Sequence, residues 1–276
     1  MATGSYLLGG EAAEFARLSR QAALIEAETE ALFRSAGIGS GQSVLEIGSG
    51  VGDVAMLLGR LVRPDGEVLG IERSADSRRV AEMRIAAAGN LAVRIEAGDL
   101  DEFVPPRQVD ALAGRFVLPY LARPAEALAR LARHVRAGGV VAFMEFDVRE
   151  MGSDPPVPLA AEIARWIVAA YEHRGVSPGL GSSLGATFHA AGLPWPYLTS
   201  CQKASCGPGG VTWYFAELVR TLESEIVASG LASAGEIDSA TLERRLEAEA
   251  LRSEATLYAP RWVSGWCRLP PDWPPA

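Results

Sequence analysis

The sequence predicts an α/β fold: a doubly wound, mostly parallel sheet of seven strands with helices on both faces and a helical lid. Three observations carry this. From residue 43 short β-type runs alternate with helical ones. The runs "SVLEIG", "EVLGIE", "AVRIEA", "VDALAG" and "VVAFMEF" are nearly all apolar on both faces, as strands buried in a parallel sheet must be. The first of them breaks into alternating glycines, Gly48, Gly50 and Gly52, where a strand hands over to a helix. Strict alternation of strand and helix implies right-handed crossovers, and these cover both faces of the sheet.

Each element follows in order. Glu11 to Ala36 reads as one long amphipathic helix with Phe15, Leu18, Ala22, Ile25 and Leu32 on a single stripe. The clearest helix runs from Pro124 to Arg136. Leu121, Leu128, Leu131 and Val135 recur every three to four residues there, while Arg123, Glu126, Arg130 and Arg133 face away. It ends in "RAGGV", read as a glycine stop. After the fifth strand, "REMGSDPPVP" is a proline-rich loop, followed by helices near Leu159 to His173 and Ser182 to Ala191. "WPYLTSCQ" supplies a sixth strand and "EATLYAPRWVSGWCR" a seventh, with helices over Val211 to Ser229 and Ser239 to Leu251 between them. The expected layout is a cap helix in 1–40, a ligand-binding core in 41–150, and the rest of the sheet in 151–276, with lid insertions at about 155–191 and 211–251.

Composition removes several function classes. At 276 residues with 49% hydrophobic and 22% charged residues the chain is long enough for a sizeable core. A net charge of −8 argues against a nucleic-acid surface, which needs concentrated Lys and Arg. No stretch has the roughly 20 apolar residues of a membrane span, and the N-terminus lacks the basic start and apolar core of a secretion signal. A cytoplasmic protein with no membrane partner is expected. Cys201, Cys206 and Cys267 lack metal spacing, and His134, His173 and His189 are isolated, so no metal is expected. The exposed stripe of the first helix leaves monomer and homodimer both open.

The glycines permit a close approach of backbone to ligand, and the helix that follows points free N–H groups at the same place, where an anion or a carboxylate is favoured. Dinucleotide enzymes require a third glycine three residues after the second. Asp53 stands at that position here, so the register is wrong for a pyrophosphate. Glu72, at the end of the second strand, suits ribose hydroxyls in either ligand class.

Four ordered motifs, "LEIGSGVG", "GIER", "EAGDLDEF" and "RHVRAGGVVAFMEFD", make the chain resemble the class I S-adenosylmethionine-dependent methyltransferases, which have a Rossmann-like fold. In the last motif Ala137 stands where the family pattern has proline. The likeness covers about residues 40 to 148, and its lidded layout resembles the ubiquinone and menaquinone C-methyltransferase-like group of small-molecule enzymes. It implies S-adenosylmethionine as methyl donor and S-adenosylhomocysteine as product. By the same resemblance Gly48, Ser49, Gly50 and Gly52 support the methionine part, and Glu46 lies near its amino group. Glu72 takes the ribose hydroxyls, Arg73 lies over the adenine, Asp99 accepts from the adenine amine, and Leu100 packs on the ring. Arg115 and Phe116 line the methionine end, and Tyr120 approaches the transferred methyl. Ordinary structural uses stay open beside these: Glu72 or Asp99 as helix caps, Arg115 in an ion pair, Tyr120 in the core.

Methyl transfer from a sulfonium is an in-line displacement, so alignment in a dry pocket is the main task. A base is needed only where the acceptor must lose a proton, and Tyr6, Glu14, His173 and Glu145 are candidates beside Tyr120. His173 at a helix end is also well suited to a plain charge interaction with that terminus. Tyr6, Glu14, Arg17, Trp166 and Trp213 are the expected acceptor contacts, although Glu14 and Arg17 have helical ion-pair spacing and the aromatics also suit helix packing. The aromatics favour a small, flat acceptor of aromatic, indolic, quinone or polyketide-like kind. Rival readings are a protein that binds S-adenosylmethionine without methylating, such as a cyclase or a ligand-binding module, and, further off, an NAD-dependent oxidoreductase.

Overall fold

The computed structural model describes residues 20, 22–89 and 92–274. Its strands are β1 Ser43–Ile47, β2 Glu67–Glu72, β3 Val93–Ala97, β4 Val109–Arg115, β5 Val135–Asp147, β6 Gly152–Asp154, β7 Tyr197–Ser205 and β8 Thr256–Arg268. They form one sheet in the order β3-β2-β1-β4-β5-β8-β6, and β7 also pairs with β8. Pairings β1 with β2, β1 with β4, β2 with β3 and β4 with β5 are all parallel, so β1 lies centrally with Leu45 opposite Leu69 on one side and Leu112 on the other. The reversal of strand order beside β1 is the switch point at which ligands of such sheets bind, beyond the carboxyl ends of the strands.

The helices are α1 Glu26–Ala36, α2 Asp53–Val62, α3 Ala75–Ala88, α4 Pro124–Ala132, α5 Pro158–His173, α6 Leu180–Ala190, α7 Thr212–Ala228, α8 Ala234–Ile237 and α9 Leu242–Arg252. None of the described helices is long and apolar enough to cross a membrane. The chain divides into two compact units. One holds the described residues up to Glu145 with Ser183–Thr199 and 264–274; the other holds Phe146–Ser182 and Ser200–Val263. In the first unit Leu45, Ile47, Ile71, Leu112, Val141 and Phe143 are completely or almost completely buried. α1 clusters with this sheet unit. In the second, α5 packs on α7, and Ile163, Trp166 and Ile167 on one helix and Phe215, Val219 and Leu222 on the other are all buried.

All seven expected strands are present, and the structure corrects the sequence reading in four places. β6, inside the proline-rich loop, is an eighth strand that adds antiparallel to β8, Ser153 opposite Leu257. The first helix is interrupted at Ile25, whose backbone at φ −124° and ψ 15° is not helical, so α1 starts at Glu26. The helix from Pro124 stops at Ala132, and Val135 already pairs with Val109 in the sheet. "RAGG" is therefore a bulge within β5, between Val135 opposite Val109 and Val140 opposite Ala111. Gly139 is required there because a β-carbon would lie 2.7 Å from the Asp110 carbonyl oxygen.

Candidate functional site

β1 delivers the chain to a turn in which Gly48, Gly50 and Gly52 all have positive φ, at 70°, 52° and 87°. Residues with a β-carbon rarely adopt this region, so the three glycines are a conformational requirement. The Gly48 and Ser49 amides both donate to the Ile71 carbonyl of β2, at 2.9 and 3.1 Å, and Gly52 N–H donates to Ser49 O at 2.8 Å. From α3, Arg84 donates to the Val51 carbonyl at 2.7 Å and to the Asp53 carboxylate at 2.6 Å, which ties the far side of the turn to the next helix.

Two carboxyl groups lie under this turn. Glu46 on β1 is 1% exposed and accepts a hydrogen bond from the Ser49 hydroxyl. Burial pushes its carboxyl up to about 8; the Glu72 charge adds to the shift, while Ser49 and Arg115 oppose it. Glu72 at the end of β2 is also buried, and its two oxygens accept from Gly50 N–H at 2.9 Å and Ser74 N–H at 2.7 Å. An ionised carboxylate has about four acceptor positions, so both amides leave capacity for hydroxyl donors.

The end of β4 supplies the next wall. Arg115 is half-buried and donates to the Thr29 hydroxyl at 2.9 Å, while Thr29, fully buried on α1, donates back to Ile25 O at 2.7 Å. Phe116 has φ +56°, a left-handed backbone at a bulky residue, and its ring lies 5.7 Å from the Arg115 guanidinium. Such strain persists only where the surroundings enforce it, and it gathers at functional positions. Asp99, just beyond β3, is exposed and holds its own turn, with Asp101 N–H donating to its side chain at 2.9 Å. Leu100 is half-buried and Arg73 exposed, and the Arg73 carbonyl accepts from Arg78 at 2.8 Å. Tyr120 closes the short 3₁₀ turn Leu118–Tyr120 and is half-buried.

The remaining expected residues are distributed otherwise. Glu145 on β5 is fully buried and accepts from the Val117 and Leu118 amides at 3.3 and 3.1 Å, so it has no surface from which to reach an acceptor in this arrangement. His173 is the exposed last residue of α5, and Trp213 is half-buried on α7 with its ring edge-on to Tyr214, centroids 5.4 Å apart. Trp166 on α5 is 3% exposed. Tyr6, Glu14 and Arg17 lie outside the described residues. Sequence reasoning did not single out Thr29, Gly70, Arg84 or Val117. Gly70 carries the one readable signal, a glycine inside an otherwise apolar strand, which marks close approach of neighbouring groups.

A sheet in this order, with an acid-flanked glycine turn after its first strand and a second acid closing the next, defines a class of ligand-binding α/β domain. Residues 45–141, from β1 into β5, match the family model of a methyltransferase domain. An uncharacterized 37.1 kDa protein of transposon TN4556 from Streptomyces fradiae is 34% identical over 118 residues; the match covers 42% of this chain and only 33% of that protein. The fold is similar to that of YcgJ from Bacillus subtilis, at TM-score 0.56 and 16% identity over 88% of this chain and 99% of that one. It is also similar to phosphoethanolamine N-methyltransferase 2 of Haemonchus contortus, in complex with phosphomonomethylethanolamine and S-adenosylhomocysteine, at TM-score 0.54 and 15% identity over 88% of this chain and 52% of that one.

Proposed function

We propose that this protein transfers a methyl group from S-adenosylmethionine to a small, flat, largely apolar acceptor of aromatic, indolic, quinone or polyketide-like kind. The observation that carries the donor assignment is the glycine turn: three left-handed glycines over buried Glu46, with a Gly50 amide held by Glu72. A β-carbon on Gly48 would fill the cradle, at 2.5 Å from Val117 Cγ2. The residues present fit the donor. Gly48, Ser49, Gly50 and Gly52 bear the amino-acid end, the Glu46 carboxyl serves its cationic amine, and Glu72 serves the ribose hydroxyls. Asp99, Leu100 and Arg73 receive the adenine, while Arg115, Phe116 and Tyr120 border the methyl end. A further support is the fold shared with a relative that holds S-adenosylhomocysteine.

When bound, the donor supplies an already activated carbon. The chain's own work is alignment and exclusion of water, and no covalent nucleophile is required. The proposal retains the expectation that the helical additions close over the acceptor. The test has two stages. S-adenosylhomocysteine is expected to raise the melting temperature and NAD to leave it unchanged, since a ligand that binds only the native state stabilises it. Incubation with S-adenosylmethionine and a panel of indoles, phenols and quinones is then expected to give a product heavier by one methyl group. Tight donor binding with no acceptor turned over would favour a non-methylating protein instead; stabilisation by NAD alone would overturn the donor assignment.

A further inference from the structure

Glu145 stands out because it is completely buried, belongs to the sheet, and bonds to a loop rather than to its own strand neighbours. Its Oε1 accepts two successive amides, Val117 N–H at 3.3 Å and Leu118 N–H at 3.1 Å. The amide just before them, Phe116 N–H, donates to the Met144 carbonyl at 2.9 Å. Two adjacent residues of β5 thus hold three consecutive amides of the turn after β4, including the left-handed Phe116. The side chain of Val117, in the middle of the three, rests against the Gly48 α-carbon: a β-carbon built there would be 2.5 Å from Val117 Cγ2. A line of contacts therefore runs from Glu145 through Val117 to the glycine turn, wholly within the sheet unit.

We propose that Glu145 is a positioning residue: by accepting the Val117 and Leu118 amides it presses the turn after β4 onto the glycine turn, and so sets the affinity for the methyl donor. The inference rests on the donor reading given above. A general base needs an oxygen open to the acceptor, whereas Oε1 is taken by backbone and Oε2 is enclosed with no hydrogen-bond partner. What the turn needs from position 145 is an acceptor of that length. Glutamine supplies one through its amide oxygen; leucine leaves two buried amides without an acceptor.

The test compares the wild-type chain, Glu145→Gln and Glu145→Leu. Titration calorimetry reads S-adenosylhomocysteine binding, and hydrogen exchange reads the amides of residues 117 and 118. Glu145→Gln is expected to bind within about threefold of wild type, and Glu145→Leu at least about tenfold more weakly. Faster exchange at 117 and 118, with β1 to β3 unchanged, is expected in the leucine variant alone. Leucine binding as tightly as wild type would overturn the proposal; so would glutamine losing about tenfold or more, because the charge and not the acceptor would then matter. Should the leucine variant fail to fold, Val117→Ala replaces it: binding at least about tenfold weaker is expected, and wild-type affinity would overturn the proposal. No binding by the wild-type chain would overturn the donor reading itself, and this proposal with it.

Discussion

Val117 Cγ2 occupies the volume that a β-carbon on Gly48 would fill, with only 2.5 Å between them. Gly48 is therefore constrained twice, by its φ of +70° and by its neighbour. For Gly48→Ala the left-handed backbone costs about 1–2 kcal/mol and the overpacking about 1–3 kcal/mol. A lower melting temperature and loss of S-adenosylhomocysteine binding are the expected result. Adding Val117→Ala to that variant should restore the steric part but not the backbone part. Full recovery in the double variant would show that the conformation of Gly48 is not limiting.

Glu72 satisfies two backbone amides, those of Gly50 and Ser74. Glu72→Ala removes both hydrogen bonds from part-buried amides, at about 0.5–1.5 kcal/mol each. Stability in urea should fall accordingly, and donor affinity should fall further than stability predicts because the proposed ribose contact goes as well. Glu72→Gln keeps one acceptor oxygen and should retain most of the stability while losing affinity. Unchanged affinity in the glutamine variant would remove Glu72 from the site.

Glu46 and Glu145 both have carboxyls held near 8 by burial, against 4.5 when unperturbed. Between those values the folded chain binds more protons than the unfolded one, so their contribution to stability is complete below about 4.5 and is lost as pH rises through 8. Each group costs about 1.4 kcal/mol per pH unit over that window. The urea midpoint of the unliganded protein is expected to fall from pH 5 to pH 8, and Glu46→Gln should flatten the fall. Asp110 and Asp147, whose carboxyls are held below the ordinary value, have the opposite effect and only at acid pH. A midpoint that rose steadily from pH 5 to 8 would contradict the buried-acid account.

Cys267 is buried on β8 and burial pushes its thiol up to about 12, whereas Cys206 is exposed. Since the thiolate is the reactive form, an aromatic disulfide reagent should label Cys206 rapidly in the native protein and Cys267 only after unfolding. Mass mapping of the labelled peptides reads this directly. Native labelling of Cys267 at the rate of Cys206 would show that the strand opens locally.

The strands were legible because parallel strands buried on both faces are written as largely apolar runs, as in "SVLEI" and "VVAFMEF", broken within by Glu46 and Glu145 alone. The glycine turn was legible for a similar reason, since three alternating glycines have few uses other than close backbone approach. Boundaries decided by tertiary pairing were not. Val135 fits the helical stripe as well as it fits the sheet, and Gly138 and Gly139 read as a helix stop although they form a bulge. Three residues of β6 leave no periodicity to find. A helical stripe also cannot say how deep it lies: Trp166, an expected acceptor contact, is 3% exposed. The bonds from Glu145 to the Val117 and Leu118 amides depend on two strands ending side by side, and no local pattern encodes that.

Gly70, in the middle of β2, never meets a ligand in the proposed arrangement, yet a β-carbon there would collide with both the Ser49 hydroxyl and Ile95 and would lie 3.2 Å from Glu46 Oε2. Together with Gly48 against Val117, and Gly114 against Phe143 at 2.6 Å, it forms a set of positions where the protein has already used all the room it has. Redesign for a donor with a larger alkyl group cannot gain space on this side of the sheet by trimming side chains, because these positions have none to trim. New volume has to come from residues that still carry one, such as Phe116 and Tyr120.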